Sequence, residues 1–263
     1  MKKTMIATAL MICALANSPI VNAQSKKTNN LINNITQDKV ANGLKEALDK
    51  GIADQVSKLS QPDGFLKNEL VKIAMPEEFK KVEKALKRMG MGSLADQGTT
   101  LINRAAESAV KEATPIFVDA VKNMTFSDAK DILIGGKSAA TDYLKKSTTK
   151  SLYDKFNPVI QSSLSDVGAD VIWEKMSTTY NALPLVSPVN TNLTDYITTQ
   201  TMDGVFKMIS IEENNIRENI GGARNTKLLK DVFAIQDNIT NSTKNNTSNN
   251  STKKQLINKH KNN

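Results

Sequence analysis

The chain has 263 residues, a formal net charge of +8, one cysteine and one histidine. Cys13 lies near the start and His260 near the end, so a disulfide framework, a cysteine nucleophile, a Ser-His-Asp arrangement and ordinary histidine metal sites are excluded from the body of the chain. Of the net +8, two charges come from Lys2 and Lys3 and four from residues 237–263, where five lysines face Asp237, which leaves +2 over 24–236. A lysine tail without aromatic rings lacks the stacking platforms of nucleic-acid binders, so no specific nucleic-acid partner is expected.

The first residues read as an export signal. Met1-Lys2-Lys3 is a basic start, Met5 to Ala16 an apolar run too short to span a bilayer, and Val21-Asn22-Ala23 a small-residue cleavage site, which predicts a cut after Ala23 and a periplasmic or secreted chain beginning at Gln24. Bulky Ile12 before Cys13 argues against lipidation. Residues 24–35 are expected to be a flexible lead-in.

From 36 to 235 apolar residues recur at helical spacing, and no run alternates long enough for a sheet, so a single all-α domain is predicted. Val40, Leu44, Leu48, Ile52, Val56 and Leu59 form one stripe, which the Pro62-Asp63-Gly64 turn ends. Lys72 to Met75 precede Pro76 and read as an extended connector. Pro76 then opens a helix carrying Phe79, Val82, Leu86 and Met89.

Ser93 is placed as the cap of a long helix through Ala113, with Leu94, Leu101, Ala105, Ala109 and Ala113 facing a core and Pro115 interrupting before Ile116, Phe117 and Met124. Thr125-Phe126-Ser127-Asp128 resembles a capping box, and Gly135-Gly136 stop that short helix. The ending Gly-Gly-Lys-Ser of this stretch looks like a phosphate loop, but Asp131 stands where that motif needs glycine, so it is read as a helix stop and the next start.

Separate helices are expected over 139–147, 149–156, 158–167 and 169–181, the last presenting Trp173, Met176 and Tyr180, followed by a linker at Leu183 to Pro188. Tyr196, Ile197, Val205, Phe206, Ile209 and Ile216 mark a long helix, and Leu228, Leu229, Val232 and Phe233 a final one. Residues 236–263, rich in Asn, Ser, Thr and Lys, are assigned to a disordered tail, since they hold too few apolar groups to offset the entropy of ordering. Weak contact with an anionic surface through those lysines is its expected activity.

Three polar clusters remain. Asn103, Arg104 and Glu107 share one side of the central helix, where neighbouring alanines admit another helix and charge would be partly desolvated. Glu213 and Arg217 are four apart and, with Asp203, Glu212 and Arg224, read as solvated surface pairs. Thr141-Asp142-Tyr143 reads as a helix start with a partly buried tyrosine.

Gly43 to Leu48, Asn103 to Glu107, Pro115-Ile116-Phe117, Met124-Thr125 with Asp128-Ala129, Ala140 to Tyr143, Asp203 to Phe206, and Glu212-Glu213 with Ile216-Arg217 together resemble the domain of unknown function 4197 family of bacterial exported proteins. The match runs in order from Val40 to Phe233. It implies an exported helical protein with no established reaction. The basic Lys137 stretch and the Asn-rich tail depart from the family pattern, which weakens any site built on either.

Two functions follow. The first is a non-enzymatic envelope module that holds a small-molecule, lipid-like or protein partner between helices, with Asn103, Arg104, Glu107, Asp142, Tyr143, Arg217 and Arg224 as binding residues and no cofactor or metal. The second is a histidine-free hydrolase pairing Glu107 with Asp142, Glu212 or Glu213, which requires two carboxylates facing one cleft at roughly 5 to 10 Å.

Overall fold

A computed structural model describes residues 37–76, 80, 92–170, 173, 174, 178, 181, 182, 188, 192–238 and 241. The export signal, the helix expected at Phe79 to Met89, Met176 and Tyr180, most of the Leu183 to Pro188 linker and the tail from 242 lie outside the described residues.

Every regular element among the described residues is helical: α1 (Gln37–Leu59), α2 (Gly92–Val110), α3 (Ala113–Lys122), α4 (Phe126–Ile134), α5 (Ala139–Ser165), α6 (Leu193–Glu218), a 3-10 turn (Ile220–Gly222) and a last helix, α7, over 227–238, with residues 169, 170, 173, 174, 178 and 181, inside the expected 169–181 helix, also helical. The predicted stripe of α1 is buried in full, from Val40 to Leu59. Helix α6 lies at the centre. Its buried residues, among them Ile197, Thr201, Val205, Phe206, Ile209 and Arg217, surround much of its circumference, and it packs against α5, α1 and α2. Helices α3 and α4 pack on α1 and α5. Phe117 of α3 meets Phe206 of α6 edge to face at 6.1 Å, an arrangement contributing about 1 kcal/mol beyond its buried area.

Helix boundaries follow local chemistry in some places and packing in others. Thr125 Oγ1 accepts from the Asp128 amide at 3.1 Å while Asp128 accepts from the Thr125 amide at 2.9 Å, so the predicted capping box opens α4. Gly135 ends that helix and Ser138 precedes α5, as the stop-and-start reading requires. Helix α2 ends at Val110, short of the expected Ala113. Pro115 cannot donate to the carbonyl of Lys111 and its ring would clash there, so the break comes first and the proline sits in the opening turn of α3.

The region from 139 to 165 corrects the sequence reading. In place of three short helices there is one, with Pro158 inside it. The stripe Thr141, Leu144, Thr148, Leu152, Phe156, Ile160 and Leu164 is buried along the whole length, and its packing outweighs the local break. Pro158 lies on the exposed side, as does Asp154, so the carbonyl that loses its helical partner belongs to a solvent-exposed residue. Helix α7 runs to 238, so Gln236 and Asp237, assigned by composition to the tail, are helical.

Candidate functional site

The first polar cluster fastens a loop. After α1 the chain turns through Asp63, which adopts a left-handed φ of 72°, and runs without regular structure to Pro76. Phe65, Val71 and Ile73 of this segment are buried, which leaves their backbone groups needing partners away from water. Helix α2 supplies them. Asn103, fully buried, accepts from the Ile73 amide at 2.9 Å and donates to the Ile73 carbonyl at 2.8 Å and to the Thr99 carbonyl at 2.8 Å. Glu107 Oε1 accepts from the amides of Phe65 (3.1 Å) and Leu66 (3.2 Å), and its Oε2 accepts from Arg104 at 2.6 Å.

Arg104 also reaches Asp63 at 2.7 Å, and Lys67 binds the other oxygen of that carboxylate at 2.8 Å. Hydrogen bonding from Lys67, then from Arg104, holds the Asp63 carboxyl below the usual aspartate range. Glu107 and then Asp63 stabilise the charged form of Arg104 in return. Helix α6 completes the fastening. Lys207 donates to the Leu70 carbonyl at 2.8 Å and Tyr196 to that of Ala74 at 3.1 Å. A Cβ on Gly204 would stand 2.8 Å from the Phe65 ring, so only glycine lets that ring seat against α6.

The second cluster ties helix ends together. Glu213 Oε1 accepts from the Ala140 amide at 2.9 Å, and Oε2 from the Thr141 amide (2.9 Å) and hydroxyl (2.8 Å), so a side chain of α6 caps the start of α5. Arg217 binds Glu213 through Nε at 2.8 Å and Nη2 at 2.7 Å, and donates to the Ile132 carbonyl at 2.8 Å, near the end of α4. The two side chains are 4% and 6% exposed, which overturns the expectation of a solvated pair. Four-residue spacing occurs on wet and dry faces alike; burial here follows from the central place of α6.

Arg224 is buried as well. Its Nε donates to the Ile216 carbonyl at 2.8 Å and its Nη2 to the Arg217 carbonyl, a cation at the C-terminal end of α6 where the helix dipole favours it. It also holds Asp237 of α7 in a bidentate pair at 2.5 and 3.0 Å, and Arg217 Nη1 donates to Gln236 at 2.8 Å.

The third patch is more modest. Thr141 is taken up by Glu213, exposed Asp142 accepts from the Ser138 hydroxyl at 2.8 Å, and half-buried Tyr143 donates to the Ala120 carbonyl at 3.3 Å. Burial, then the Asp128 charge, raises the Tyr143 hydroxyl above its ordinary value. Glu212 accepts from Gln55 (3.4 Å) and Asn215 (3.3 Å), and Asp203 lies at the surface 3.9 Å from Lys145.

The structure thus brings Glu213, Arg217, Arg224 and Thr141-Asp142 to one end of the α5–α6 pair, while Asn103, Arg104 and Glu107 serve the 61–75 loop and share no partner with them. Sequence reasoning missed Asp63, Gln236 and Asp237 as partners, and the Tyr153–Asp195 hydrogen bond of 2.7 Å between α5 and α6. No short-range pattern announces pairs 13 to 42 residues apart. Next to the second cluster lies a cavity of about 30 Å³, lined chiefly by Leu44, Leu48, Ile52, Ile209, Ile216 and Phe233, with Glu212, Glu213 and Arg217 at its edge. Among the described residues no three His, Cys, Asp or Glu side chains are arranged to hold a metal ion, and no helix is long and apolar enough to cross a membrane.

Residues 34–234 match the family described as Protein of unknown function (DUF4197). No curated protein and no solved structure matches the chain. The chain belongs to the DUF4197 family.

Proposed function

We propose that this DUF4197 member is an exported, non-enzymatic binding module of the cell envelope. One observation carries the reading: the two buried acids offered for catalysis are already engaged. Glu213 accepts from two amides, a hydroxyl and a guanidinium, and Glu107 from two amides and a guanidinium. A general base needs a lone pair directed at substrate, and drawing either carboxylate away would strand buried backbone amides. Of the remaining carboxylates of the hydrolase reading, Asp142 faces solvent beside Ser138 and Glu212 accepts from Gln55 and Asn215. What supports binding instead is an apolar seam between α1 and α6 that is incompletely filled and flanked by buried arginine.

Two measurements test this. The purified chain is assayed against chromogenic esters, phosphate esters and glycosides beside Glu107→Gln, Asp142→Asn and Glu213→Gln. No turnover above buffer is expected, and turnover abolished in a variant that keeps its helical circular dichroism would overturn the reading. Expressed at full length, the protein should be released by osmotic shock with Gln24 at its N-terminus; retention of an unprocessed chain in the cytosol would sink the export part.

A further inference from the structure

Helix α7 sits on the rest of the fold in the manner of a bound amphiphile. Phe233 projects into the apolar space bounded by Leu44, Leu48, Ile52, Ile209 and Ile216, and the 30 Å³ cavity beside it shows that the ring does not fill that space. Such a void has room for about two waters but offers them few polar partners. One helical turn later, Asp237 places its carboxylate on the guanidinium of Arg224, whose carbon lies 5.2 Å from the centre of the Phe233 ring. Gln236 occupies the remaining nitrogen of Arg217.

The arginines do not depend on α7 for their positions. Arg224 is fixed to the Ile216 and Arg217 carbonyls and its amide to the Asn219 side chain, while Arg217 is fixed by Glu213 and the Ile132 carbonyl. Only Asn225 separates Arg224 from Thr226, whose hydroxyl caps α7 at the Leu229 amide, 3.1 Å away. A swing about Asn225, which would draw the buried Leu229, Val232 and Phe233 out with the helix, would leave both guanidinium groups held against α6.

From this geometry we infer that α7 is a lid over a site for an anionic amphiphile, such as a fatty carboxylate, with Phe233 and Asp237 standing in for its chain and its headgroup while the lid is shut. An incoming carboxylate takes the bidentate place of Asp237 on Arg224, and its aliphatic chain takes the place of Phe233 between α1 and α6. Charge complementarity selects the occupant: with Asp237 withdrawn, buried Arg224 keeps only carbonyl partners and calls for an anion, whereas Arg217 stays balanced by Glu213. The inference rests on the reading of the chain as a binding module.

The test uses sodium dodecanoate below its micellar range, titrated calorimetrically into the intact protein. Asp237→Asn weakens the latch and raises the fraction of open lid, so dodecanoate should bind it about tenfold tighter than the unaltered chain. A lock works in the opposite direction. A Cβ on Gly43 would lie 3.2 Å from that of Val232, about 0.3 Å short of the disulfide range, so the bridge needs only a small outward shift of α7, and the chain beyond Cys13 has no other cysteine to interfere. With Gly43→Cys and Val232→Cys together, binding should vanish on oxidation and return on reduction. Undiminished binding by the oxidised lock, equal affinity in Asp237→Asn, or equal binding of dodecyltrimethylammonium would each overturn the inference. If neither the parent nor Asp237→Asn binds dodecanoate, the lid assignment fails by itself, because the non-catalytic reading is decided by the turnover assays.

Discussion

Arg104 with Glu107 and Glu213 with Arg217 are both acid–arginine pairs on long helices, three and four residues apart, and each acid caps backbone amides of another segment. They differ in water. The Arg104 side chain is 40% exposed, at the rim of a surface loop, whereas that of Arg217 is 4% exposed, among the ends of three helices. In the first pair the guanidinium bridges two carboxylates in partial solvent, so most of the fastening rests on the neutral Asn103 and on the Glu107–amide bonds. In the second, both charges are desolvated and neither is tolerable without the other. An acid–arginine pair within one helical turn therefore marks a loop clip in one place and a structural hub in the other.

Breaking the hub should show the largest effect. Arg217→Met strands a buried carboxylate, and a loss of about 3 to 5 kcal/mol is expected in urea unfolding. A loss below about 1 kcal/mol would mean the pair is hydrated and would erase the contrast. Next comes the clip. Asn103→Ala leaves the amide and carbonyl of Ile73 buried without partners, at a cost of roughly 2 to 3 kcal/mol, and amide exchange at Ile73 should accelerate while that at Ala140 and Thr141 is unchanged. If all three amides exchange faster together, the two regions are one cooperative unit.

Smaller still, Thr125→Ala removes the α4 cap and should lower stability by about 1 kcal/mol, a local reference for both clusters. The smallest effect is expected from acid. Lys67 and Arg104 depress the Asp63 carboxyl in the folded chain, so its contribution is complete above the unfolded value of about 3.9 and disappears as pH falls through the lower folded value. The stability advantage of the parent over Asp63→Asn, which keeps the left-handed backbone accessible, should be full at pH 5 and shrink below about pH 4. An advantage independent of pH would show that the Asp63 charge does not hold the clip.

Much of the fold was legible because short-range patterns decide it. The α1 stripe, the Thr125–Asp128 box, the stop at Gly135 and the stripes of α6 and α7 are where spacing put them, and family membership agrees. Pro158 misled because a break rule acts over four residues while the stripe from Thr141 to Leu164 is held along its whole length by α6 and α2. At the sites, local spacing named Arg104, Glu107, Glu213 and Arg217 but not what they hold. The amides of Phe65, Ala140 and Thr141 carry no signature in their side chains, and Asp237 was hidden by a composition shared with the tail.

The reach of Glu213 across the fold bears on how the molecule assembles. The cap of α4 comes from within three residues, so that helix can close its first turn as soon as it is synthesised. The start of α5 waits for a carboxylate 72 residues further along, so as the polypeptide emerges it holds a long helix whose leading end is unsecured. The start of α5 thus gains its cap only when α6 packs against it.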